Sequence, residues 1–138
     1  MLQNNRLLPA SQTAAFFHGH IAYDDTYTGT ADTLEEGERL ASLLTPDTHA
    51  MFMKNHGILV VGETVAQAYR RLYKLERVCR AQLTAMASGE ALEILSDSVV
   101  AQVQSHPEDD RHSRIDRENL YFSAMMRVLD RENPGYAD

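Results

Sequence analysis

With a single cysteine in 138 residues, Cys79, the chain has no partner for an intrachain disulfide and cannot build a cysteine-based zinc knuckle. A reducing cytoplasm suits such a chain. Positive charge is also scarce: 13 lysines and arginines stand against 20 aspartates and glutamates, leaving a net charge of −7. A field of that sign repels phosphate backbones and anionic membrane surfaces, which argues against a nucleic-acid role and favours solubility. No window approaches about eighteen uninterrupted apolar residues, and the opening MLQNNRLLPA has neither a continuous apolar stretch nor a small-residue cleavage site. The expectation is no membrane span and no signal peptide. Walker-type GKS or GKT, Rossmann GxGxxG and the GxSxG elbow are all absent, so the commonest phosphate cradles and the esterase-type nucleophile drop out. There is no internal repeat and no low-complexity tract.

What is present is enough for one core. The length and a hydrophobic share of 43% fit a single domain over residues 1–138. Ser11 is placed to cap a short helix through about Phe17, residues 21–23 read as a brief strand, and Gly29 closes a polar turn. Thr33-Leu34-Glu35-Glu36 is a capping box, followed by an apolar face of Leu34, Leu40, Leu43 and Leu44 that Pro46 ends. Ala50, Phe52 and Lys54 alternate with Met51, Met53 and Asn55, and residues 58–61 are uniformly apolar, which together predict a hairpin. Thr64 and Gln67 form a second capping box. Val65, Tyr69, Leu72, Cys79, Leu83 and Met86 then predict a helical face over about 25 residues, ending at Gly89. A helical tail over about 96–133 completes the chain. It comprises a short helix over 97–104, a charged connection PEDDRHSR after the stop at Pro107, and a helix capped by Ser113. That last helix uses Ile115, Phe122, Met125, Val128 and Leu129, and ends at Pro134 and Gly135.

The candidate chemistry centres on His56. Asn55 and Gly57 flank it, and these residue types accept positive φ in tight turns, so His56 is expected at a strand end held by a rigid ladder. His18-Gly19-His20 has the form of an HxH metal pair, but Gly19 after a helical pattern favours a helix C-terminal turn. Asp24 and Asp25 are available as an acid/base pair or as hard ligands, with a solvated turn as the favoured reading. Arg70, Arg71, Lys74, Arg77 and Arg80 give the long helix a basic side suited to a phosphate or to water, and Tyr69 and Tyr73 one turn apart read as packing. Cys79 lies inside that helix with no group to lower its pKa, which makes it a poor nucleophile.

The ordered run NHGILVVGETVAQAYRRLYKLERVCRAQ resembles the C-terminal half of the class II aldolase/adducin family, in the Asn-His-Gly turn, the apolar strand with its glycine, and the placing of Tyr73, Leu75, Glu76 and Cys79. LLPASQTAAFF, IAYDDTYTG and MRVLDRENPGY are similar to flanking segments of that family, so essentially the whole chain is covered. The resemblance implies an α/β fold, three-layer α/β/α with a largely antiparallel central sheet, assembled as a homo-oligomer that is tetrameric in the sugar-phosphate aldolases. It implies a divalent metal, zinc foremost with manganese as the alternative, held by three histidines. The histidine of the turn maps onto His56, with Asn55 and Gly57 supporting it. The other two histidines, an HxH pair, and the acid/base glutamate belong upstream of Met1, and His18-Gly19-His20 aligns after that pair. The chain is therefore expected to be a truncated domain, with sheet edges and apolar faces that promote self-association.

Two functions follow from the resemblance. The first is a metal-dependent carbon–carbon lyase, acting by aldol cleavage or decarboxylation on a small carbonyl or hydroxy-acid substrate, phosphorylated or not. On that reading the chain by itself is inactive, because catalytic zinc normally has three protein ligands. The second is a non-enzymatic, adducin-like interaction domain. A site built from His18, His20 and His56 together is the least favoured arrangement. The expected setting is cytoplasmic, without nucleic acid or membrane partners.

Overall fold

A computed structural model describes residues 6–105 and 111–136, with residues 111–115 described by backbone alone. Local signals set the element ends. Ser11 caps α1 (Gln12–Ala15), its hydroxyl accepting from the Ala14 N–H. The chain then turns through Gly19, whose φ of +79° carries no steric cost only for glycine, and enters β1 (Ile21–Asp24). α2 (Leu34–Ser42), β2 (Ala50–Met53), β3 (Gly57–Val60) and α3 (Val65–Met86) follow, and α4 (Asp97–Gln104) and α5 (Arg111–Glu132) form the helical tail. α3 has 22 residues and stops slightly before the expected end. Ser113 lies inside α5 and does not cap it; residues 111–114 of the expected charged connection belong to this helix. Residues 107–110 of that connection, Pro107 with them, lie outside the described residues, as does the side chain of Ile115.

Both threonine caps form, but neither capping box closes as expected. Thr33 Oγ1 accepts from the Glu36 N–H at 3.2 Å, while the Glu36 carboxylate turns to Arg39. Thr64 Oγ1 accepts from the Gln67 N–H, and Gln67 Oε1 accepts from the Glu63 N–H at 2.7 Å. In the first box a cation outcompetes a backbone donor for the carboxylate, since hydrogen bonds between charged groups are roughly twice as strong.

The sheet runs in the order β1-β2-β3. β1 pairs with β2 in parallel, Ile21 against Ala50, and β2 pairs with β3 antiparallel, Met53 against Gly57. The described sheet is thus mixed rather than largely antiparallel. The reason is connection length: β2 and β3 are joined by a tight turn that enforces antiparallel pairing, whereas the long link through α2 allows a parallel neighbour. Ala50 and Phe52 face α3, and with Ala14, Phe17, Ile21, Ile58, Val60, Leu75 and Val78 they make the core. Met51 and Met53 alternate to the other side of β2 and are buried there.

Two expected helix faces are corrected. α3 buries Ala66, Gln67, Leu75, Val78 and Gln82, whereas Val65, Tyr69, Leu72, Leu83 and Met86 are exposed; of the expected face, Cys79 alone packs against the core. α2 buries no residue, and Leu34 at its start is 80% exposed. Glutamine side chains do some of the joining instead. Gln82 of α3 donates to the Arg6 carbonyl and accepts from the Leu8 N–H, and Gln104 of α4 donates to the Ala15 and His18 carbonyls. Where the chain passes from β3 into α3, a Cβ on Gly62 would stand 2.6 Å from the Ala68 nitrogen, so only glycine fits. No helix among the described residues is long and apolar enough to cross a membrane.

Candidate functional site

The turn after β2 is a built feature. Lys54, at its start, donates its N–H to the Asp24 carbonyl at 2.9 Å, and the His56 N–H closes the turn on the Met53 carbonyl at 3.1 Å. Asn55 sits at φ +57° in the third place of that four-residue turn, a position that suits asparagine because its short polar side chain tolerates left-handed backbone. Gly57 already belongs to β3 and pairs with Met53. His56 is therefore held at the strand end by the ladder on either side. Its side chain is exposed, and its ring makes no hydrogen bond among the described residues.

The His18-Gly19-His20 pair is not brought to this turn. His18 and His20 close the α1 turn through their N–H groups on the Ala15 and Phe17 carbonyls. The parallel register places His20 beside His49 at the N-terminal ends of β1 and β2, where the two rings stack with centroids 4.4 Å apart and His20 Nδ1 lies 2.9 Å from the Asp47 carbonyl. The length of β2, roughly 13 Å at about 3.3 Å per residue, separates them from His56. A site uniting His18, His20 and His56 does not form. Among the described residues no group of three or more histidine, cysteine, aspartate or glutamate side chains could hold a metal ion.

Asp24, read from sequence as part of a solvated turn, is buried at the end of β1, with 6% of its surface exposed. Arg39 of α2 donates to both of its oxygens, at 2.8 and 2.7 Å, and to both oxygens of Glu36, at 2.8 and 2.7 Å. These Arg39 hydrogen bonds hold the Asp24 carboxyl below the usual carboxylate range against the opposing effect of burial, with the Thr26 N–H helping. Glu36 is lowered by the same guanidinium, and Arg39 is raised by Glu36 and then Asp24. Asp25 behaves as a surface residue, pairing with Arg6 at 2.6 Å. This anchor stands next to the start of the His56 turn, and the turn signals at Asp24 and Asp25 do not reveal it. The signal for it was the Glu36–Arg39 spacing, three residues apart on one helix face.

The remaining candidates resolve into structure. Burial pushes the Cys79 thiol up, with Glu76 adding to the effect, which leaves the sulfur a weak nucleophile. Tyr69 and Tyr73 pack against Tyr121 and Phe122 of α5. On the basic side of α3, Arg70 lies over the Tyr121 ring at 4.0 Å and Arg71 donates to the Val61 carbonyl, while Arg77 and Arg80 remain at the surface.

Comparison with known proteins bears on what such a turn belongs to. A family described as the class II aldolase and adducin N-terminal domain matches residues 1–83. A Caulobacter vibrioides protein classed with the class 2 aldolases is 34% identical over 137 residues, covering 96% of this chain and 50% of that protein. Human gamma-adducin is 27% identical over 141 residues, covering 94% of this chain and 19% of its own length. The crystal structure of an aldolase II superfamily protein from Pseudomonas syringae superposes with a TM-score of 0.80 at 33% identity, over 99% of this chain and 53% of that one. The chain thus spans about half the length of the aldolase-type proteins it matches.

Proposed function

The chain belongs to the class II aldolase and adducin family, and we propose that it carries one ligand of a divalent-metal lyase site, His56, whose other donors lie outside the described residues. The observation that carries this reading is the turn itself: a left-handed Asn55 and two backbone hydrogen bonds fix an exposed imidazole at the end of a paired strand. Asn55 and Gly57 act as its support. The described residues do not themselves fit a metal, since no group of three or more His, Cys, Asp or Glu donors, with or without His56, stands together among them. A lone imidazole competes poorly with water for zinc or manganese, so the chain by itself is expected to be inactive. Completed, the site would serve carbon–carbon cleavage, aldol or decarboxylative, of a small carbonyl or hydroxy-acid substrate, phosphorylated or not.

Several further features go with this reading. Residues 1–138 form one unit with a helical tail over about 96–133. In the complete fold the small mixed sheet extends into a largely antiparallel one between two helical layers, the protein assembles as a homo-oligomer, and its setting is cytoplasmic. A second reading, a non-enzymatic adducin-like interaction domain, is favoured by the absence of a donor cluster among the described residues together with the similarity to gamma-adducin along most of the chain. Elemental analysis of the protein and two variants tests the assignment of His56, and protein that holds no metal at all counts against catalysis by this chain. On the lyase reading any stoichiometric zinc or manganese disappears in His56→Ala and persists in His18→Ala. Metal that persists in His56→Ala overturns the assignment of His56, and carbon–carbon lyase activity in protein lacking metal overturns the metal reading as a whole.

A further inference from the structure

The outer face of α3 carries an open groove of about 870 Å³. Its lining is asymmetric along the helix. The N-terminal half is bulky, with Tyr69, Leu72 and Tyr73, and the C-terminal half is small, with Ala81, Thr84 and Ala85. Between them stand Glu76 and Arg77, with Arg80 one turn beyond Glu76. A helix with its large residues at one end of a face and small ones at the other complements itself when a second copy runs antiparallel across it.

We infer that this face is a self-association surface, on which α3 of a second copy packs antiparallel about a two-fold axis passing between Glu76 and Arg77. The pairing follows from that axis. Each residue meets the one equally far on the other side of it, so Tyr69 faces Thr84 of the second copy and Leu72 faces its Ala81. The large-to-small matches let the two backbones approach, as ridges-into-grooves packing requires. Tyr73 meets Arg80, a ring under a guanidinium, and Glu76 meets Arg77, a pair of opposite charge. Because the axis is two-fold, every match occurs twice.

The chain's own contacts leave these groups available. Arg80 reaches its own Glu76 at 3.4 Å, and both side chains are more than half exposed, so the pair is weak and readily exchanged. Arg77 lies over its own Tyr73 with its carbon 5.6 Å from the ring centre and donates to the Tyr73 hydroxyl at 3.3 Å, an exposed contact that docking has to exchange. The bulky half is braced from behind, since Tyr121 and Phe122 of α5 hold the Tyr69 and Tyr73 rings, which limits the ordering cost of docking. Leu72 and Tyr73 are 46% and 40% exposed, so the described residues do not cover them. The stripe from Tyr69 to Thr84 is only ~23 Å long at about 1.5 Å per residue, which makes a small interface and a concentration-dependent dimer. This inference is independent of any metal at His56.

Charge reversal tests the geometry. Glu76→Arg places like charges together in a dimer of that variant, and so does Arg77→Glu. Mixing the two variants restores both ion pairs, because each reversed side chain then meets one of opposite charge on the other copy. Sedimentation equilibrium is expected to show wild-type dimerisation, a weakening of about tenfold or more in each single variant, and recovery in the equimolar mixture. Ala81→Leu, which occupies the space for Leu72 without altering charge, is expected to weaken the dimer as well, with helicity preserved by circular dichroism. A wild-type chain that stays monomeric at every concentration overturns the inference. So does association that survives both charge reversals, or a mixture that associates no better than its components.

Discussion

α2 and α3 begin alike and are held differently. Each opens with a threonine whose hydroxyl accepts from the N–H three residues on, and each carries apolar residues at helical spacing. Yet α3 buries Leu75 and Val78 against the sheet, whereas α2 buries nothing and is tied through Arg39 to Asp24 of β1. An amphipathic period shows that a helix is able to dock. Whether it does so depends on what surface lies within reach. β2 and β3 offer α3 a continuous apolar face, and α2, set in the long link between parallel strands, finds a buried carboxylate.

The contrast is broken most severely by Leu75→Ala. Leu75 is fully buried in the core, and its truncation is expected to cost about 2–5 kcal/mol, read as a lower denaturation midpoint. Gly62→Ala comes next. The new Cβ would stand 2.6 Å from the Ala68 backbone nitrogen, so α3 has to shift, at a cost of about 1–3 kcal/mol.

Arg39→Met addresses the other helix, removing the charge while keeping much of the side chain's bulk. Amide exchange in α2 is expected to accelerate by at least about tenfold while α3 keeps its protection, and an α2 that stays equally protected would show that apolar contacts hold it. Acid has the same target. Asp24 and Glu36 are held below their ordinary values by Arg39, so their stabilisation is fully present above the usual carboxylate range and fades as pH falls through the lowered values. In acid, α2 protection is therefore lost before that of α3. The smallest effect belongs to Leu34→Ala. Leu34 is 80% exposed at the start of α2, so a stability change within about 0.5 kcal/mol is expected from the same denaturation measurement.

Most of the fold was legible in the sequence because its signals are local. The Ser11, Thr33 and Thr64 caps, the hairpin with its turn at residues 54–56, and the left-handed Gly19 depend on neighbours in the chain. What failed depends on distant residues. The sequence pattern points to the wrong face of α3 because Tyr69 and Leu72 look more core-like than Ala66, Gln67 and Gln82, yet the close approach of the sheet and of residues 6–8 favours small residues and hydrogen-bonding amides there. Asp24 looked like a turn residue because the arginine that neutralises it lies fifteen positions away. The parallel β1–β2 pairing has no sequence signature of its own, and it is what separates His20 from His56. The candidate site was legible as far as it was local. The turn and its histidine could be named from Asn55, His56 and Gly57, whereas further donors are a matter of assembly.

The central claim is that His56 is one ligand of a metal site that the described residues do not complete. Isothermal titration of zinc into the isolated chain, dialysed free of metal, addresses this directly. Only weak binding is expected, with the His56 contribution lost in His56→Ala. One tightly bound equivalent per chain that survives His56→Ala would contradict it.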